Sequence, residues 1–366
     1  MIRTGGGIVV AMKRSITQLE RIKDELPAAE RRLFERYYRV DTVTGRLRVP
    51  EGMRPWIEKN FGILEAVTEQ RIVKVTNRLT LEGVLFNGLR ASRPMAVADG
   101  DSVEETVVKS SGDPFCRPES DTTEDTFGRI RGEYCITASN VAKYDGYHGI
   151  VIFDEHHPLK FDAERIADYF KTAWEWGEKA HQEDPESRYF FLMWNCLWKS
   201  GASIVHGHAQ MTLSRGMHYA KAEALRRVWE RYKREYEGAC YFWDLYAVHQ
   251  SLGLAWEQEG VKGMAHLTPV KEKEVLLVAA ELGEPLYRQV YRVLDGYRRM
   301  GVRSFNLAVY VPPIAEVEED WEGFPVVVRL VDRGDLESRT ADVGAMELYA
   351  ASVISSDPFR VVEFLK

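Results

Sequence analysis

Cysteine is scarce in this 366-residue chain. There are four, Cys116, Cys135, Cys196 and Cys240, with no Cys-x-x-Cys pair among them. That argues against a disulfide framework and for a reducing compartment, the cytoplasm. Long apolar runs are missing as well: no stretch approaches the ~20 residues of a membrane span, and Ile8–Met12 is too short for a signal-peptide core. Positive charge is not in excess, with 49 Lys and Arg against 56 Asp and Glu and a net charge of -7. This speaks against an extended nucleic-acid surface but leaves room for a local basic pocket. What is present is a globular composition, 45% hydrophobic and 29% charged, in a chain long enough for one large or two ordinary domains.

Three regions differ in texture. Residues 13–70 are charged, and Leu19, Ile22 and Leu26, then Leu33, Tyr37 and Tyr38, recur at roughly helical spacing. This predicts a helical N-terminal extension over 1–70. Strand-like runs begin at Arg71, with Ile72–Val75 and Gly83–Phe86. Residues 71–235 then read strand (Gly149–Phe153), helix (Asp162–His181, with Asp162 as N-cap), strand (Tyr189–Asn195) and a histidine-bearing strand. Residues 236–366 repeat that order less clearly, through Met264–Thr268, Val275–Met300, Ser304–Tyr310 and Val326–Val331. An internally duplicated α+β unit accounts for the repeat.

The most informative segment is Ser200-Gly-Ala-Ser-Ile-Val-His-Gly-His-Ala-Gln210. Alternate residues of a strand share a face, so His206, His208 and Gln210 project together. Two imidazoles and an amide in that array can bind a metal, attack a phosphorus atom, or both. Asn195 closes the preceding strand, and the small-residue turn Lys199–Ser203 offers backbone N–H groups and a hydroxyl suited to an anion. A neutral imidazole can displace a leaving group at an α-phosphate without a separate base.

Asn195 followed by Gly201-x-Ser203 and His206-x-His208-x-Gln210 resembles the active-site segment of the galactose-1-phosphate uridylyltransferases, the transferase branch of the histidine-triad superfamily. Gly207 stands where that family commonly has proline. The likeness extends to Asn77–Pro94, where Arg90 and Arg93 match an Arg-x-x-Arg-Pro motif that meets the nucleotide diphosphate. It also takes in Tyr134–Asn140, where Asn140 matches an asparagine near the nucleotide. The implied fold is α+β: tandem histidine-triad-like units with antiparallel sheets flanked by helices, plus the helical extension. The implied reaction is a ping-pong nucleotidyl transfer. His208 is the nucleophile, His206 orders the site, and Gln210 and Ser203 hold phosphate oxygens. Arg90, Arg93, Asn140, Asn195 and Gly201 bind substrate.

The resemblance further implies zinc. Asp113-Pro-Phe-Cys116 matches a Cys-x-x-Cys hairpin with aspartate in place of the first cysteine, and His157 and His206 complete an acceptable ligand set. Without metal, Cys116 is a buried thiol. His156 is the register competitor to His157 and reads as a surface residue. Expected partners are a nucleotide-sugar or dinucleotide donor and a phosphorylated acceptor or inorganic phosphate. Neither nucleic acid nor membrane is expected, and the family's habit suggests a homodimer. In the second unit Phe305–Tyr310 carries no histidine, so its metal site is expected to be missing and the acceptor need not be galactose 1-phosphate. The close alternative is a phosphorylase acting on dinucleotides or nucleotide sugars; the distant one is a nucleotide-binding protein without turnover. The tryptophans Trp174, Trp176, Trp194 and Trp198 read as core or interface aromatics. His148, His181, His218, His249 and His266 have no ligand spacing and read as structural or exposed.

Overall fold

The computed structural model describes residues 14–92, 102–338 and 343–366. The N-terminal region holds α1 (Leu19–Asp24), α2 (Ala28–Tyr37), β1 (Tyr38–Arg46), α3 (Arg54–Phe61), α4 (Leu64–Thr68), β2 (Glu69–Asn77) and β3 (Gly83–Phe86). The helical spacing therefore stops at Tyr37. Val40, Val43 and the intervening threonine favour an extended chain, and β1 pairs antiparallel with β2 along its whole length. β3 follows β2, and the late strand β13 (Ser352–Ile354) closes the sheet by parallel pairing with β3. The expected division at 70/71 thus cuts a four-stranded sheet that includes the C-terminal return of the chain.

The remaining strands form one nine-stranded sheet. The first unit supplies α5 (Val103–Lys109), α6 (Pro118–Asp121), β4 (Cys135–Ser139), β5 (Tyr147–Phe153), α7 (Ala163–Glu183), β6 (Ser187–Cys196) and β7 (His208–Arg215). The second follows α8 (Ala220–Glu235) and α9 (Tyr241–Ser251) with β8 (Ala255–Gln258), β9 (Val261–Ala265), β10 (Val275–Ala279), α10 (Glu284–Arg299), β11 (Phe305–Tyr310) and β12 (Val326–Asp332). The sheet order β4-β5-β7-β6-β11-β12-β10-β9-β8 runs symmetrically outward from the antiparallel β6–β11 pair. Two strand-helix-strand-strand units are thus joined edge to edge.

Each face of this sheet has its own cover. Helices α7 and α10 pack side by side on one face. Asp162 caps α7 by accepting the Arg165 N–H at 2.9 Å, and Ile166, Phe170, Ala173 and Trp176 form the buried stripe. On the opposite face, the second unit is covered by α9 and the N-terminal sheet: the Tyr38 and His249 rings meet edge-on at 6.0 Å, and Arg329 on β12 bonds Glu82 at 2.8 Å. The first unit's half of that face carries a separate apolar floor of Phe115, Ile136, Ala138, Ile150 and Ile152. The histidines stand over this floor.

Candidate active site and metal centre

Strand β7 starts at His208, so His206 and Gly207 lie in the bend that leads into it. Gly207 is required there by close approach. A Cβ would meet Phe153 Cδ2 at 2.6 Å and the backbone of Glu155 and Pro158 at 3.3 Å. Its N–H donates to the His156 carbonyl at 3.1 Å and its own carbonyl accepts from Phe153 at 3.0 Å. This contact seats the 154–158 turn against the bend and brings His156 to His206.

The two imidazoles have fixed tautomers. His206 Nε2–H donates to the Phe153 carbonyl at 2.7 Å, and His156 Nε2–H to the Val107 carbonyl at 3.0 Å. Both Nδ1 lone pairs then face each other at 3.0 Å, which is repulsive unless a cation lies between them. Cys116 Sγ lies 3.4 Å from His156 Nδ1 and 3.6 Å from His206 Nδ1, with Asp113 Oδ1 3.5 Å from the latter. Asp113 Oδ2 is buried and finds no hydrogen-bond partner among the described residues. Gly112 N–H donates to Cys116 Sγ at 3.3 Å, an interaction that favours a thiolate. Tetrahedral zinc with nitrogen, oxygen and sulfur ligands places neighbouring donor atoms about 3.3–3.8 Å apart, so the donor set Asp113, Cys116, His156 and His206 fits that ion. Backbone acceptors on the far ring nitrogens are the usual second support of such ligands.

The cluster corrects one expectation. His156, not His157, joins it. His157 turns away, and its Nδ1 accepts the Leu159 N–H at 3.2 Å within the turn. Cys116 is exposed, unlike the buried thiol expected without metal.

His208 is buried, and its ring meets Phe115 edge-on at 5.2 Å. Its Nδ1–H donates to the His206 carbonyl at 2.8 Å, so Nε2 carries the lone pair. Burial lowers its pKa below the ordinary histidine value and keeps the ring neutral. Gln210 is held from behind by His148, which is buried on β5. Tyr144 N–H donates to His148 Nδ1 at 3.0 Å, so His148 Nε2–H donates to Gln210 Oε1 at 2.9 Å. The Gln210 carbonyl is thereby occupied, leaving its NH₂ group as the end able to donate to a ligand. Asn140 lies beside the same ring, with Nδ2 3.4 Å from His148 Nε2.

Asn195 is positioned by the second unit. Asn306 on β11 donates to Asn195 Oδ1 at 2.6 Å and to the Ser200 carbonyl at 3.0 Å, and Arg333 in turn bonds Asn306. Gly201 has φ +97, a left-handed turn that favours glycine, and Ser203 is exposed on the loop that follows. Arg90 is exposed and lines a cavity of about 710 Å³ beside this turn. Arg93 lies outside the described residues. His148, Asn306 and His156 were not singled out as functional by the sequence. His156 left a trace as the register competitor to His157, and His148 through its strand parity with Ile150 and Ile152 of the site face.

No protein-family model matches the chain, and no curated protein matches it significantly. Solved structures do. An ADP-glucose phosphorylase from Arabidopsis thaliana, determined with bound ADP-glucose, superposes with a TM-score of 0.59 at 15% identity, covering 78% of this chain and 95% of that one. A galactose-1-phosphate uridylyltransferase-like protein from the same plant gives 0.57 at 15% identity, with 70% and 92% covered. A uridylyltransferase gives 0.54 at 12%, with 80% and 96% covered. The chain shares the α+β fold of these structures.

Proposed function

We propose that the protein is a nucleotidyl-transferring enzyme that works through a covalent nucleotidyl-histidine at His208. The observation that carries this reading is the imidazole itself: buried, neutral, with Nδ1–H tied to the His206 carbonyl and the Nε2 lone pair at the head of a strand beside a donor amide. Mere binding does not need such a group.

His208 Nε2 attacks the α-phosphorus of a nucleotide-sugar or dinucleotide donor. The P–N bond forms, the P–O bond to the leaving phosphate breaks, and the leaving group departs with the electron pair as a phosphorylated product. The ring becomes cationic, and the His206 carbonyl on Nδ1–H stabilises that charge where it develops. The Gln210 NH₂ and the 201–203 turn donate to the non-bridging oxygens. Asn195, Asn140 and Arg90 bind the nucleotide and diphosphate. A phosphate oxygen of the acceptor then attacks, the P–N bond breaks, and His208 returns to its neutral form. Asp113, Cys116, His156 and His206 would hold a zinc ion, whose role there would be structural: these four residues come from three loops, and the His206 backbone carbonyl orients His208.

A sugar phosphate acceptor makes this a transferase like the uridylyltransferases; inorganic phosphate makes it a phosphorylase. The second outcome has support from β11, whose site-facing residue is Asn306 serving Asn195, with no histidine on the strand. Intact mass spectrometry after incubation with a panel of nucleoside diphosphate sugars and dinucleotides tests the reading. A nucleotidyl adduct is expected with one donor class and is lost in His208→Ala. Tight donor binding with no adduct from any donor would sink it in favour of a non-catalytic binding protein.

A further inference from the structure

A single side chain of the second unit reaches the surroundings of His208. Asn306 on β11 sits directly opposite Asn195 on β6, and residues opposite each other in antiparallel strands share a face. Asn195 lies two residues past Met193, which pairs with Gln210, and His208 lies two residues before Gln210. Both amides are therefore on the face that carries His208. Asn306 makes three hydrogen bonds there. Its Oδ1 accepts from Arg333 Nη1, and its Nδ2 donates to Asn195 Oδ1 at 2.6 Å and to the Ser200 carbonyl at 3.0 Å.

The two outer partners fix the sense of this row. Which end of an amide is oxygen and which nitrogen follows from what each neighbour can do. A guanidinium only donates, and a backbone carbonyl only accepts. Asn306 must then turn its oxygen to Arg333 and its nitrogen to Ser200, and that same nitrogen meets Asn195. The Asn195 atom facing it is therefore the oxygen. Asn195 Nδ2 has no hydrogen-bond partner among the described residues and its side chain is half-buried, so the NH₂ end is left to the open face. Flipping Asn195 alone would set NH₂ against NH₂. The bond to Ser200 has a second use. Leu197, two residues past Asn195, has φ 66 and ψ 172, a conformation almost exclusive to glycine. The strained turn from Leu197 to Gly201 is tied through Ser200 to β11 of the other unit.

We infer that Asn306 is a positioning residue for transfer at His208: it makes Asn195 meet the α-phosphate of the donor with its NH₂ end. This role rests on the nucleotidyl-transfer reading; the orientation of the Asn195 amide does not. As charge shifts onto the non-bridging oxygens during attack, an N–H held in place beforehand stabilises it without reorganising. An Asn195 turned the other way would set a carbonyl oxygen against those oxygens and repel them. Gln210 shows the same arrangement on the neighbouring strand, its oxygen occupied by His148 and its NH₂ end free. Two amides thus flank the nucleophile with their oxygens tied back, one by a ring of the first unit and one by a side chain of the second.

Asn306→Asp provides the test in the full chain. It keeps the volume and the Arg333 partner but turns the donor that faces Asn195 into an acceptor, so Asn195 should rotate and present its oxygen to the phosphate. Adduct formation, followed by intact mass spectrometry, should slow about 10²-fold, as for a lost oxyanion donor, against about tenfold in Asn306→Ala, where the amide is only set free. In an Asn195→Ala background the effect of Asn306→Asp should shrink by about tenfold or more. Thermal midpoints of all variants are compared with the parent. A packing role predicts the opposite order, with Ala the worse, and a loss that persists without Asn195; either result overturns the inference even though the parent forms the adduct. The same set of variants is titrated calorimetrically with AMP and with UMP. Coupling between positions 195 and 306 in nucleotide affinity, with no adduct from any donor, supports the amide orientation and removes the transfer reading. Neither adduct nor nucleotide binding by the parent overturns both.

Discussion

At the scale of single residues, the site is a set of tautomers held by backbone carbonyls. His206 and His156 each spend one nitrogen on a carbonyl and aim the other at the same point, beside Cys116 and Asp113. We expect about one equivalent of zinc per chain by elemental analysis of protein purified without chelator. His156→Ala and Cys116→Ser should lose it, whereas His157→Ala should retain it, because His157 serves only its own turn. Retention in His156→Ala with loss in His157→Ala would reverse the assignment. His148 works at the same scale through Gln210. His148→Phe removes the donor that occupies Gln210 Oε1 and frees the amide to turn. Adduct formation should slow about tenfold, below the ~10²–10³-fold loss of a direct oxyanion donor, with little change in donor KM. His148→Asn, which restores an N–H, should recover part of the rate. A KM effect alone, or no recovery, would make His148 merely a packed ring. The sequence set His208 and Gln210 on one face, since both lie within one strand. It could not show His148, whose tie to Gln210 depends on the β5–β7 register.

Secondary elements decide how tightly these residues are held. Phe153 ends β5, stacks on Tyr169 of α7 at 3.7 Å, and meets Trp194 of β6 edge-on at 5.0 Å. The ring therefore has no room to yield to a side chain at position 207. Gly207→Ala places a Cβ 2.6 Å from it and should destabilise by about 1–3 kcal/mol through overpacking. It should also weaken zinc retention, because the 154–158 turn that carries His156 is pinned to the Gly207 backbone. Chemical denaturation and metal content measure the two effects, and an unchanged midpoint would show that the bend relaxes freely. The helix α7, its cap and its buried stripe were readable from periodicity. β1 was not: its residues continue the charged texture of the helices, and what makes them a strand is pairing with β2 across an intervening segment of more than twenty residues.

For the whole molecule, the question is what holds the N-terminal sheet onto the second unit. Glu274, buried on the site-facing side, accepts from Arg329 at 2.6 Å and from Val270 N–H at 2.7 Å, and lies 3.4 Å from His266; Arg329 then reaches Glu82 at the start of β3. Burial opposes ionisation of Glu274, but Arg329 and His266 outweigh it and hold the carboxyl down at about 2 against an ordinary 4.5. A lowered folded-state pKa stabilises the fold above the unfolded value. That stability is lost as pH falls from 4.5 towards 2. Glu274→Gln should therefore destabilise at neutral pH and flatten the dependence of unfolding on pH below 4.5. An acid-unfolding profile parallel to that of the parent would show that other carboxylates govern acid stability. The same covering sheet lies over the face of the second unit, whereas the first unit's floor is a separate buried cluster.

Local sequence determined what local physics determines: the alternation of His206, His208 and Gln210, the capped helix α7, the Gly201 turn and the duplicated order of elements. Each depends on residues within a few positions of one another. Tertiary structure decided which neighbouring histidine joins the cluster of candidate metal ligands, which ring orients Gln210, and how Asn306 reaches Asn195 from the other unit. Those outcomes follow from strand register and from β6–β11 pairing across more than a hundred residues. A one-residue slip in such pairing would turn every one of these side chains to the opposite face.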